Sequence, residues 1–233
     1  MQPATSSANR YNIYAIIHKA LRSFMFDTVT RVGSLDRDDD ADVGAAMAQV
    51  RDLAYLCRMH LDKENHFVHP AMEARCPAST AQVAADHAEH EHAIVDLYAL
   101  AEAVVTGSGA ARQAALRTLY RHLALFAGDN LLHMDHEETE HNAVLWSAYS
   151  DAELAALEQA IVAAIPPQDK MLIMRWMLSA MSREERAEKL AEIRAHAPAP
   201  VFAATMELAA ATLPAAARRK LEADLDMHTL KAA

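Results

Sequence analysis

Two segments of the chain carry the same pair of side chains at the same spacing, His60 with Glu64 and His133 with Glu137. Residues four apart on an α-helix lie one above the other on the same face, so each segment aims an imidazole and a carboxylate at a common point. That pairing is the chemistry of cation binding. Neutral imidazole and carboxylate are donors that first-row transition metals take, and facing helices contributing Glu and Glu/His donors are how two-metal carboxylate sites are built. Histidine is concentrated in this part of the chain, with 10 of the 13 lying between His60 and His141.

Helical periodicity supplies the elements that must position these groups. A first helix is expected from about Asn12 to Val32, with Tyr14, His18, Leu21, Met25 and Val32 on one face and Gly33 at its end. The acidic run Asp36–Asp42 alternates like a calcium loop. Its sixth position is Ala41 and its twelfth Met47, where such a loop needs Gly and Glu, so it reads as a solvated loop. A second helix, about Val43 to Phe67, carries the apolar seam Val50, Leu53 and Cys57 into His60, Glu64 and Phe67. Pro70 and Pro77 bracket a turn, Ser79 or Thr80 caps a third helix, and Val83, His87, Ile94, Leu97 and Ala101 trace its inward face up to Gly107 and Gly109. A fourth helix from about Ala110 places Leu116, Leu119, Leu123, Phe126, Asn130, His133, Glu137 and Val144 on one stripe.

Each expected helix therefore puts a histidine on its buried face, and two of them add a glutamate. Burying such groups without a partner costs several kcal/mol, about 3–5 for a broken ion pair, and a shared cation removes that cost. The expected metal ligands are His18, His60, Glu64, His87, His133 and Glu137. They suffice for two ions about 3.5–4 Å apart, bridged by the carboxylates. His90 and Glu91 form an ambiguous pair, either further ligands or outer-sphere groups. His66, His69, His92, His122, His136, His141, His196 and His228 fall off the seams or outside the bundle and are expected on the surface or behind the ligands.

After Trp146 the character changes. Ser150 with Glu153 and Ser182 with Glu185 are capping boxes, and Pro166–Pro167, Pro198 and Pro214 punctuate about four short helices. Met171, Met174, Trp176, Met177 and Met181 there read as core packing. The expected fold is all-α: an antiparallel four-helix bundle over residues 1–148 and a small helical C-terminal extension over 149–233.

Composition agrees with that division and narrows the function. With 5 Gly and 8 Pro in 233 residues, the turns that a sandwich or barrel needs are missing. No run of eighteen apolar residues spans a bilayer. The opening MQPATSSANRYNIYAIIHKALRSF lacks the features of a secretory signal, so a cytoplasmic location is expected, with no membrane partner. A net charge of −10 argues against nucleic acid. Cys57 and Cys76 are too far apart for a CxxC motif and read as thiols buried for packing, with Cys57, one turn before His60, as a candidate redox neighbour.

The pattern His18, His60xxxGlu64, His87 and His133xxxGlu137, one histidine-bearing turn per helix, resembles the hemerythrin-like (HHE cation-binding) family over roughly residues 10–148. The resemblance implies a non-haem di-iron site, two irons per chain, in which Glu64 and Glu137 bridge and the histidines are terminal ligands. Manganese and zinc fit this donor set less well than iron. Oxygen-carrying hemerythrins place a second histidine four residues after the third-helix histidine, where this chain has Glu91. That departure moves the comparison toward bacterial hemerythrin-like proteins and the domains of iron sensors and iron–sulfur repair proteins. The implied partner is a small ligand at the metals: oxygen, nitric oxide, peroxide or the iron supply itself. Two readings stay open, a binding or sensing module and an enzyme that consumes peroxide or another small oxidant, as does assembly into a homo-oligomer.

Overall fold

The computed structural model describes residues 10–232, and side chains as far as residue 227. The first nine residues and the side chain of His228, both included in the sequence reading, lie outside the described residues. Every regular element among the described residues is helical. In chain order they are α1 (Ala15–Ser34), α2 (Asp40–Lys63), a π-helical turn π1 (Glu64–Val68), α3 (His69–Arg75), α4 (Ala81–Thr106), α5 (Gly109–His136), a second π-helical turn π2 (Glu137–His141), α6 (Asn142–Ala148), α7 (Asp151–Ala163), α8 (Pro167–Ala180), α9 (Arg183–His196), α10 (Ala199–Thr212) and α11 (Ala215–Ala232).

The chain forms two compact units. One holds residues up to Ala15 together with Phe24–Ala164, the other Ile16–Ser23 together with Ile165–Ala233, so the unbroken helix α1 contributes to both. In the first unit α4 packs against both α2 and α5, and α3 packs against α6. Val50, Leu53, Leu97, Leu119 and Leu123 are fully buried there. Tyr14, Val68, Met72, Leu145 and Leu154 form an apolar cluster around α3, α6 and α7. Arg10 ties down the entry to α1, donating to Asp151 Oδ1 (2.7 Å), the Trp146 carbonyl (2.8 Å) and the Tyr149 carbonyl (2.7 Å).

The helix ends follow local chemistry. Asp39 caps α2 by accepting from the Ala41 and Asp42 amides, so the acidic run serves as a helix start. Thr80 precedes α4 without capping it through its side chain. Its hydroxyl donates instead to Glu73 Oε1 (2.7 Å), and Glu73 also takes the Ala78 amide, which holds Ala78 at a left-handed φ of 66°. Gly109, at φ 51°, opens α5 where a side chain would be strained.

Two departures from the sequence reading share one cause. The second and fourth helices do not stop at Phe67 or run on regularly to Val144; each widens into a π-turn that starts at its glutamate. In π1 the His69 amide pairs with the Glu64 carbonyl five residues back, and the extra residue shifts everything downstream by one position. Val68 and Met72 are buried where the α-period selects Phe67, and Leu145 is buried while Val144 is partly exposed. Pro70 does not bracket a turn. It sits in the first turn of α3, and the wide turn before it removes the ring's clash with the carbonyl four residues back. In π2 the Thr139 hydroxyl donates to the Asp135 and His136 carbonyls at 2.7 and 3.3 Å, competing with the helical ladder.

Both expected capping boxes form, at Ser150 for α7 in the first unit and at Ser182 for α9 in the second. In the second unit α9 packs on α11 and α8 on α10. Leu178, Met181, Leu190, Ala209, Leu213, Leu221 and Leu225 make its core, with Met174 and Met177 packed against them, as the reading of the methionines expected. Among the described residues five helices, α7 to α11, follow Trp146, in line with the expected four or so.

Met72 is fully buried beneath the π-turns, whereas Leu132 is 74% exposed. Met72→Ala should cost about 2–5 kcal/mol, and Leu132→Ala no more than about 0.5 kcal/mol, read as shifts of the urea midpoint.

Candidate metal centre

α2 and α5 each deliver a histidine from their last turn, π1 and π2 each open on a glutamate, and α1 and α4 each deliver a histidine from early in the helix. His60 Nε2 lies 3.1 Å from Glu64 Oε1, and His133 Nε2 lies 3.4 Å from Glu137 Oε1. His87 stands between the pairs, its Nε2 3.5 Å from Glu64 Oε2, 3.9 Å from Glu137 Oε1 and 3.1 Å from His133 Nε2. Asn65 Oδ1 accepts from His87 Nδ1 at 2.8 Å, which fixes the tautomer and turns the Nε2 lone pair toward the carboxylates.

These groups form two sets of donor atoms, each set lying within 4.8 Å of one another: His18, His60, Glu64 and Glu137, and Glu64, His87, His133 and Glu137. Both sets contain both glutamates. The six residues singled out by spacing are the six that the two sets contain. His18, His87, His133, Glu64 and Glu137 are buried, with His60 at the edge of the buried region.

The ambiguous pair divides. His90 is buried, its ring edge-on to His133 at 4.8 Å and to Phe126 at 6.1 Å, but it belongs to neither set. Glu91 is exposed and also outside both. Two histidines expected off the seams are buried beside the glutamates: His69 and His141 form a third group with Glu137, within the same 4.8 Å. His141 follows Glu137 by four residues, so its position was readable as one more turn of the same face. His69 follows Glu64 by five, and only π1 brings it round. Asn65 carried no sequence signal.

Burial sets the electrostatics. Both oxygens of Glu64 and of Glu137 are sealed from solvent, and the two carboxyl groups bring oxygens within 4.8 Å of each other. Desolvation first, and then the neighbouring Glu137, push Glu64 well above the usual carboxylate range. Glu137 is raised to about 8, chiefly by desolvation. The histidines move the other way: burial, then the fields of His69, His90 and His141, lowers His87 to about 3, and burial with His69 and His136 lowers His141 to about 4. At neutral pH His87 and His141 are therefore neutral, while the carboxyl pair keeps a proton. A divalent cation held by these donors would take the place of that proton.

Comparison with known protein families agrees with the geometry. Residues 11–144, more than half of the chain, match the Hemerythrin HHE cation binding domain, and the chain belongs to that family. No curated protein and no solved structure matches it.

The shifts fix how the metal-free protein responds to pH. Below about pH 6.5 the unfolded chain protonates histidines that the fold keeps neutral, so stability falls with acid as His87 and His141 are carried toward values of about 3 and 4. Glu137 acts oppositely, its folded value being raised from 4.5 to about 8, so its contribution is complete below 4.5 and is lost as pH rises through 8. Metal-free protein should melt highest near pH 6.5. At pH 8, Glu137→Gln should melt above the parent, by about 2–4 °C per kcal/mol regained, and lose the rise in melting temperature that metal gives the parent. A variant melting below the metal-free parent at pH 8 would contradict the buried-carboxyl account.

Proposed function

We propose that this chain is a non-haem di-iron protein that binds or senses a small ligand such as oxygen, nitric oxide or peroxide. One ion is held by His18, His60, Glu64 and Glu137, the other by His87, His133 and the same two glutamates. The observation that carries this reading is that both donor sets share both carboxylates. Sharing is what a bridged pair requires.

Several features support the reading. Donor turns near the start of α1, the end of α2, the start of α4 and the end of α5 meet at one level when consecutive helices alternate in direction, which favours an antiparallel four-helix bundle. All the donors precede residue 149, so the labour divides between a metal-holding bundle in 1–148 and an extension in 149–233. No thiolate joins the donors: burial pushes the Cys57 thiol up to about 12, and it belongs to none of the groups. Imidazole and carboxylate without thiolate favour iron or manganese over structural zinc. Both cysteines are free, as in a reducing cytoplasm. Among the described residues no helix is long and apolar enough to cross a membrane.

When bound, the ions supply redox chemistry and coordination positions that six side chains leave open. The chain's own residues hold those positions dry and orient the donors. Asn65 sets the His87 tautomer, and the buried Tyr14 hydroxyl lies 3.5 Å from His141 Nδ1, beside the carboxylates. With Glu91 turned to solvent, the second ion takes two histidines from the chain, fewer than in oxygen-carrying hemerythrins, which favours sensing or transient binding over carriage.

Protein loaded with ferrous iron without oxygen and then exposed to it should develop the near-ultraviolet bands of an oxo-bridged ferric pair. Glu64→Ala should lose both ions rather than one, measured as iron per chain, whereas a full complement in that variant rules out bridging. Sustained peroxide turnover by the parent, absent from Glu64→Ala, would move the assignment from a binding module to an enzyme.

A further inference from the structure

Two buried imidazoles beside the centre have no place in the two-ion reading. His69 and His141 are 7% and 1% exposed, and each has its Nε2 sealed from water with no hydrogen-bond partner. Both reach Glu137 within the same 4.8 Å that defines the other two groups, and neither belongs to those groups. A buried ring nitrogen left without a partner is costly, and here two of them converge on one carboxylate.

The backbone aims them there. π1 and π2 each begin at a glutamate of the centre; His69 directly follows π1, and His141 is the last residue of π2. His69 is stacked on His87, with ring centres 4.9 Å apart and planes 16° from parallel, and His141 lies edge-on to His69 at 5.8 Å. Tyr14 stands 3.5 Å from His141 Nδ1. A proton on Nδ1 directed at the Tyr14 oxygen leaves the Nε2 lone pair available, the outer-partner arrangement that ligating histidines adopt.

Donors held about 2.1 Å from one ion lie within about 4.2 Å of each other, so small side-chain adjustments bring this group to coordinating range. Two imidazoles and a carboxylate with open positions form the donor set of a divalent first-row ion. A carboxylate offers about four lone-pair sites, enough for Glu137 to serve this ion as well as the pair.

We propose that His69, Glu137 and His141 form a third cation position, adjoining the paired one and taking a divalent transition ion such as Fe²⁺ or Zn²⁺. With three side chains and a carboxylate already shared, it fills last and empties first. The proposal rests on the two-ion reading only through Glu137.

The test is equilibrium dialysis of the full chain against Zn²⁺, with metal per chain measured by elemental analysis for the parent and for the His69→Gln, His141→Gln double variant. The expected result is three ions per chain in the parent, the third bound most weakly, and two in the double variant with the tighter pair unchanged. Two ions in both proteins, or three in both, overturns the third position while leaving the pair intact. A double variant that falls below two shows that His69 and His141 serve the pair, which also overturns it. No binding by the parent removes the two-ion reading as well. If the double variant does not fold, the parent titration and the single variant His141→Gln decide: a parent at three falling to two supports the position, and any other pattern overturns it.

Discussion

Two carboxylates buried against each other dominate this molecule. Glu64 and Glu137 have all four oxygens out of water, and that burial raises both above the range at which carboxyl groups ordinarily ionise, the neighbouring Glu137 adding to the rise at Glu64. A core of hydrocarbon around such a pair is unfavourable unless something positive is shared between them, a proton or a metal. Four histidines, His18, His60, His87 and His133, bring ring nitrogens to the same carboxylates, donors that a metal uses and a shared proton does not. The polarity of the region is therefore organised for an ion.

The helices are shaped by the same requirement. The α2–α4 and α4–α5 packings are conventional, built on leucines, valines and alanines at helical spacing. Where the glutamates enter, the α-helical ladder gives way to a wider turn in both carrier helices. Those turns give up some backbone regularity. In exchange they place extra buried side chains, His69, Val68 and His141, around the carboxylates, and they admit Pro70 without breaking the chain's direction. The Tyr14, Met72 and Leu145 cluster then closes over the turns with apolar surface.

The part of the site that follows regular helical arithmetic was legible in the sequence. His60 to Glu64 and His133 to Glu137 are single α-turns, and the inward stripes of α1 and α4 placed His18 and His87 on buried faces. The capping boxes at Ser150 and Ser182 were legible because each depends on two residues at fixed spacing. What sequence could not show was where the period changes. An α-period carried past Glu64 puts Phe67 inward and His69 outward, and one additional residue in the turn reverses both. Asn65 was equally hidden, since a polar residue beside a ligand gains meaning only when its side chain meets His87 Nδ1. His141 was a different failure: its four-residue step from Glu137 was present, but the apolar stripe running on to Val144 drew the face elsewhere.

The account stands on two cations sharing Glu64 and Glu137, and anomalous X-ray scattering at the iron edge from crystals of iron-loaded protein tests it most directly. The account predicts two strong peaks about 3.5–4 Å apart, each within coordinating distance of both glutamates, one beside His60 and the other beside His87 and His133. A single peak, or iron bound away from either carboxylate, would contradict it.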